Sequence, residues 1–155
     1  MSNKTNIHGN MLVINGQGVL ITGNPKIGKT DLSLTLVDRG HSLVSDDVTD
    51  ICKKDQRLLA SSPEKIQGKL LVFEIGLIDI SQLYPAAILS QHQLDLVITL
   101  IESPVSHPNM TPLAPKLSTL NILGVPIPSF SLATNSTRNI PLLIETLVRY
   151  YHPYK

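Results

Sequence analysis

A single cysteine, Cys52, in 155 residues excludes an intramolecular disulfide and any zinc site built on a cysteine cluster. Charge is scarce too: charged residues make up 16%, and Lys+Arg 13 against Asp+Glu 12 leave a net charge of +1. Without a clustered excess of positive charge, a broad nucleic-acid footprint is not expected. No apolar run approaches the length of a membrane span, and the opening MSNKTNIHGN carries no apolar h-region. The expected location is therefore the cytoplasm, with no membrane partner. Internal repeats, low-complexity tracts and linkers are also missing, so residues 1–155 are expected to form one domain. What the chain does have is 42% hydrophobic residues, enough for a sizeable core. With so few charges to cover it, some apolar surface should remain exposed, which favours a homo-oligomer.

The stretch that organises the chain runs from Gly18 to Asp47. Within it, Gly23-Asn24-Pro25-Lys26-Ile27-Gly28-Lys29-Thr30 fits G-x-x-x-x-G-K-[ST], a phosphate-binding loop. The apolar run Val19, Leu20, Ile21 reads as a buried strand entering it, and Asp31 to Arg39 reads as a helix leaving it, stopped at Gly40. Phosphate oxygens need several N–H donors at short range. Glycines let the backbone approach, and the helix N-terminus supplies unsatisfied donors and the positive end of its dipole. Lys29 adds a full charge for the β- and γ-phosphates, and the Thr30 hydroxyl suits Mg²⁺. A bound nucleotide is the expectation.

Taken in order, Met11–Ile14 and the run after Gly18 read as two short strands joined by a tight turn, with His8-Gly9 just ahead of the first. A lone histidine near a terminus is usually solvated. Leu32, Leu34, Leu36 and Val37 make the helix apolar on more than one side, so it should be sandwiched. His41 to Asp47 is a short apolar strand ending in two carboxylates. Asp46 and Asp47 are either solvated turn residues or a site pair with separate jobs, since adjacent strand residues face opposite ways; their place after Thr30 favours the site. Lys53–Arg57 reads as a hairpin tip. Leu70–Ile80 reads as one or two buried strands interrupted by Glu74 and Asp79, each at a strand edge or at a site. Leu94–Ile101 is another buried strand. Glu102 to Ser118, with Pro104, Pro108, Pro112 and Pro115, reads as a long loop, and Ile122–Pro128 as a short strand stopped by prolines. Neither His92 nor His107 has a ligand-spaced partner. The last helix is capped by Asn139, takes Pro141 in its first turn, and carries the stripe Ile140, Leu143, Ile144, Leu147, Val148 and Tyr151.

His8-Gly9, GVLITGNPKIGKT, LVDRGHSLVSDD, IGLIDI and Arg138-Asn139, in this order, resemble the catalytic domain of bacterial HPr kinase/phosphorylase, which phosphorylates a serine of the phosphocarrier HPr. The resemblance spans essentially the whole chain, although the usual family member has an additional N-terminal domain. It implies an α/β fold with a P-loop NTPase core related to phosphoenolpyruvate carboxykinase, a mixed sheet with flanking helices, and assembly as a hexamer. It implies ATP and Mg²⁺ as cofactors and an HPr-like phosphocarrier as partner. Carried over, Gly23 to Thr30 would cradle the nucleotide, Lys29 would hold the phosphates, and Thr30 with Asp46 would hold the metal. Asp47 is favoured to exchange a proton with the serine, and His8 corresponds to a histidine beside the phosphates. There are departures. Leu71-Val72-Phe73-Glu74 stands where the family has Glu-Val-Arg-Gly, so a metal-binding glutamate and an arginine are missing, with Glu74 a shifted replacement at best. Lys116 is the nearest basic residue to an arginine of the Pro-rich loop, and Ser136-Thr137 replaces Pro-Gly. A serine kinase is the leading expectation, with phosphorolysis in doubt. A non-catalytic nucleotide-binding regulator and a small-molecule P-loop kinase are the alternatives.

Overall fold

The structure, a computed structural model, describes residues 3–103 and 117–151. Most of the expected Pro-rich loop lies outside them, including Pro104, His107, Pro108, Pro112, Pro115 and Lys116. The chain opens with β1 (Lys4–His8), β2 (Asn10–Ile14) and β3 (Gln17–Thr22). Next come α1 (Lys29–Asp38), β4 (Ser42–Ser45), β5 (Val48–Lys54) and β6 (Arg57–Ser61). A 3-10 turn at Glu64–Ile66 leads to β7 (Lys69–Val72), β8 (Gly76–Asp79), the short α2 (Ile80–Leu83) and β9 (Gln91–Gln93). β10 (Leu96–Glu102), β11 (Leu117–Ile122), β12 (Val125–Thr134) and α3 (Ile140–Tyr150) complete the described elements.

Three layers result. A six-stranded mixed sheet runs β11-β12-β10-β3-β2-β4, and a four-stranded sheet runs β1-β5-β6-β9. β10 is parallel to both of its neighbours, β3 and β12, whereas β2 is antiparallel to β3 and to β4. Period-2 alternation sorts the core between the faces of the larger sheet. Val19, Ile21, Leu96 and Ile98 join Leu32, Leu36, Val37, Ile144 and Val148 on the helix side. Leu20 and Val97 join Ile51, Leu58 and Ala60 on the side of the smaller sheet. The central strands are thus buried on both faces, which is why β3 and β10 read as unbroken apolar runs. α1 is sandwiched as its composition demands, and it ends in a Schellman motif: Gly40 N–H donates to Val37 C=O and His41 N–H to Leu36 C=O, both at 3.0 Å.

Three expectations need correction. His8 does not precede the first strand but closes β1, an edge strand with mostly exposed, polar residues. Hydropathy cannot signal such a strand, because its pairing with β5 holds it rather than burial. Leu70–Ile80 is not buried throughout but forms a two-stranded hairpin, β7 with β8. Leu70 and Val72 face the core, while Leu71, Phe73, Ile75 and Leu77 are 61–89% exposed. Finally, Pro126 and Pro128 do not stop a strand but lie inside the ten-residue β12. They share one parity, so both missing N–H groups fall on one edge, and pairing with β10 begins only at Ser129. The hairpin tip between β5 and β6 and the α3 cap, where Leu142 N–H donates to Asn139 Oδ1 at 3.2 Å, are as expected. No helix among the described residues is long and apolar enough to cross a membrane.

Candidate functional site

β3 delivers the chain to Gly23 from the middle of the larger sheet. Gly28 stands at the N-cap of α1 with φ 95 and no side chain closing the helix end. A side chain there would enter open space, since nothing lies within 4 Å of an added Cβ, and only a residue without Cβ takes this backbone freely. Gly23 is tighter: a Cβ would come within 3.0 Å of Leu100 C=O. Between them Ile27 N–H bonds Asn24 C=O at 3.0 Å, closing a turn. The first amides of α1 therefore face an open concavity, an arrangement suited to an anion. Lys29 is buried, and its ammonium reaches back across the loop to Gly23 C=O (2.8 Å) and Asn24 C=O (3.1 Å). Pro25 and Lys26 complete the loop, and Lys26 stays exposed.

β4 ends beside this loop and brings the acids. Asp46 is buried, and its Oδ1 accepts from Thr30 Oγ1 at 3.2 Å and from Asn10 Nδ2 at 2.8 Å. Burial raises its pKa above the ordinary carboxylate value. The Thr30 hydroxyl and the Leu71 main-chain N–H pull it back, the nearby Asp47 charge pushes it up again, and Asn10 lowers it. Asp47 is exposed and adopts φ 67, a left-handed conformation that aspartate tolerates better than most residues. Its C=O accepts from Gly9 N–H at 2.8 Å, and its N–H donates to Asn10 Oδ1 at 2.9 Å. The two adjacent acids thus occupy different environments, one desolvated beside Thr30 and one open to solvent.

His8 is exposed, and its Cα is in register with Val48, the residue after Asp47. The chain crossing from β1 to β2 therefore runs against the acid turn. Glu74 sits at the tip of the β7–β8 hairpin with φ 69, and no hydrogen bond or ion pair ties it to Asp46 or Thr30 among the described residues. Asp79 is a helix cap: its Oδ1 accepts from Ser81 Oγ at 2.6 Å and Ser81 N–H at 3.1 Å, and the Ser81 hydroxyl is the main reason its pKa is lowered. Among the described residues, no three His, Cys, Asp or Glu side chains gather as a metal cluster.

The residue that sequence reading passed over is Asn10. It is 1% exposed, and its Nδ2 lies within hydrogen-bond distance of Lys29 C=O (3.1 Å), Ser33 Oγ (2.7 Å) and Asp46 Oδ1 (2.8 Å). One amide thereby joins β2, α1 and β4. The signal was available. Asn10 has the parity of Leu12 and Ile14, whose side chains enter the helix-side core, and a polar group at such a position requires partners.

A family model described as HPr Serine kinase C-terminal domain matches residues 1–154. An HPr kinase/phosphorylase of Clostridium botulinum (strain Eklund 17B / Type B) is 34% identical over 149 residues, covering 96% of this chain and 49% of its own. One from Streptococcus pneumoniae (strain Hungary19A-6) is 36% identical over 153 residues, covering 97% and 49%. The chain spans about half the length of the curated relatives it matches. The solved Hpr(Ser) kinase/phosphatase from Coxiella burnetii superimposes with a TM-score of 0.86 at 43% identity, over 94% of this chain and 88% of that one.

Proposed function

The chain belongs to the HPr serine kinase C-terminal domain family, and from that premise we propose that it is an ATP- and Mg²⁺-dependent kinase acting on a serine of HPr or a related phosphocarrier protein. One observation carries the reading. The Thr30 hydroxyl and the buried Asp46 carboxylate meet at 3.2 Å beside the open glycine cradle. We read the β3–loop–α1 unit as a P-loop NTPase core of the phosphoenolpyruvate carboxykinase-like kind, within a single domain.

The residues fit the two cofactors. Gly28 leaves room for phosphate oxygens, and the α1 amides with Lys29 supply donors and charge. Mg²⁺ takes few protein ligands, a hydroxyl and one or two carboxylates beside the substrate phosphates, which is the donor set of Thr30 and Asp46. Bound together, they would supply the transferable phosphoryl group and neutralise its charge. Lys29 would exchange the carbonyls of Gly23 and Asn24 for phosphate oxygens. Asp47, exposed beside its buried neighbour, would accept the serine proton, and Asp46 would hold the metal. His8, on the strand paired alongside, orients the attacking group or relays a proton.

The reverse reaction should be weak. The hairpin N–H that reaches Asp46 belongs to Leu71, and its neighbours Val72 and Phe73 bring neither carboxylate nor cation to that side. By the same family premise the protein is a cytoplasmic homo-oligomer, a hexamer, with exposed apolar side chains such as Leu83 and Leu117 available for contacts. The test is incubation with HPr and MgATP labelled in its γ-phosphate, with Lys29→Ala as control. Label on serine that the control loses is the expected result, and no label with any nucleotide or pyrophosphate sinks the proposal. Saturable ATP binding without transfer would instead favour a nucleotide-gated regulator, a reading the apolar hairpin motivates.

A further inference from the structure

The turn that carries the acids is strained and held from outside. Val48 N–H donates to Asp46 C=O at 2.7 Å across Asp47, whose φ is 67. A bond from i+2 back to i, with positive φ at the middle residue, matches the rare and strained form of the γ-turn. Such a conformation persists only where its surroundings over-determine it, and strain of this kind gathers at functional sites. At Asp47 the surroundings are Gly9 and Asn10. Gly9 N–H holds Asp47 C=O at 2.8 Å, and Asn10 Oδ1 accepts from Asp47 N–H at 2.9 Å. Thr49, buried just beyond the turn, donates its hydroxyl to Gly9 C=O at 3.0 Å. Gly9 is itself pressed against β3, since an added Cβ would come within 2.9 Å of Ile21 C=O.

The other end of the same amide grips the second acid. Asn10 Nδ2 reaches Asp46 Oδ1 at 2.8 Å, the oxygen to which Thr30 Oγ1 also donates at 3.2 Å. An amide nitrogen has two hydrogens, yet Ser33 Oγ (2.7 Å) and Lys29 C=O (3.1 Å) bring the acceptors in reach to three. Asp46 can therefore turn its oxygen toward a metal without leaving the buried amide unsatisfied. A joint that served the fold alone would need neither this surplus nor a hold on a strained acid.

We propose that Asn10 is a positioning residue for phosphoryl transfer. With one side chain it holds Asp46 beside Thr30, where the metal would bind, and fixes the turn that presents Asp47 to the substrate hydroxyl. The inference rests on the kinase reading above, and it gives Asn10 no contact with nucleotide or substrate. Removing the amide leaves the glycine cradle and the Lys29 ammonium in place, so nucleotide still binds. What goes is the alignment of the two acids, and a misplacement on the order of 1 Å costs about a hundredfold in rate.

The test compares wild type with Asn10→Ala, Asn10→Leu and Ser33→Ala in the full chain, with a melting curve for each to establish folding. Asn10→Leu fills the space that Asn10→Ala opens to water. Ser33→Ala removes one of the three acceptors and strands nothing, so it controls for disturbance of the same core. In transfer from MgATP to HPr, both Asn10 variants should lose about a hundredfold in kcat, with KM for HPr within about threefold. Ser33→Ala should stay within about twofold of wild type in both. Calorimetric titration with ATP reads the joint without turnover. The gain in affinity that Mg²⁺ confers should fall about tenfold in the Asn10 variants, the scale for a group that orients a metal ligand, and persist in Ser33→Ala. A folded Asn10 variant with kcat near wild type, an unchanged Mg²⁺ gain in both, or an equal loss in Ser33→Ala overturns the inference. If wild type transfers no phosphate, the kinase reading fails by itself, and the Mg²⁺ gain still upholds or overturns the hold on Asp46.

Discussion

At the scale of single residues, Asn10 and Asp46 set the properties of the site. Asn10→Ala would leave the Lys29 C=O, the Ser33 hydroxyl and Asp46 Oδ1 each short of a bond in a place water cannot easily reach, and would release the Asp47 N–H. The expected loss is about 2–3 kcal/mol, from a net value of roughly 1 per hydrogen bond and more for each group stranded. Urea unfolding measures it, and a loss under about 0.5 kcal/mol would show that the amide is not the joint described. Asp46 is the opposite case. Burial works against its charge and raises its pKa, so the folded chain gains little from the ionised carboxyl by itself. Asp46→Asn should leave the melting temperature level or higher while ATP binding loses its dependence on Mg²⁺. A variant whose ATP affinity still rises with Mg²⁺ as in wild type would remove Asp46 from the metal site.

Among the elements, α3 is held to the α1–β4 connection by a side-chain cluster around Glu145. Arg39 donates to Glu145 Oε1 from Nε (2.9 Å) and Nη2 (2.6 Å), and His41 Nε2 lies 2.5 Å from Oε2. The Arg39 guanidinium is the main reason the Glu145 pKa is lowered. A carboxyl whose folded pKa is depressed adds stability that is complete above its unfolded value, about 4.3, and disappears as pH falls through the folded value. Wild type should therefore exceed Glu145→Gln in stability at pH 7, with the gap closing below about pH 4. Denaturant midpoints of both proteins across that range test this, and a gap that widens in acid contradicts it. The same element scale explains what sequence reading could and could not find. Strands β3 and β10 and helices α1 and α3 announce themselves by burial and caps. β1 does not, since it is polar, and the outer face of the β7–β8 hairpin misleads, since its apolar side chains meet solvent.

For the whole molecule, the larger sheet carries one core on each face, and both include residues of the same strands. Leu20→Ala on one face and Ile98→Ala on the other should each cost about 2–5 kcal/mol. Both should shift one common transition, with calorimetric and van't Hoff enthalpies equal. A separate early transition in the Leu20→Ala protein would divide the chain into two folding units. The amino-acid order by itself determined the glycine loop, the strand and helix around it, the acid pair and the capped last helix. Each of these is local, written in a few adjacent residues whose backbone preferences or periodicity need no distant partner. Only the tertiary structure decided that Asn10 binds α1 to β4 and that Asp46 is buried while Asp47 is not. Burial and hydrogen-bond partnership are properties of what the chain brings together across the sheet, and neighbours in sequence do not specify them.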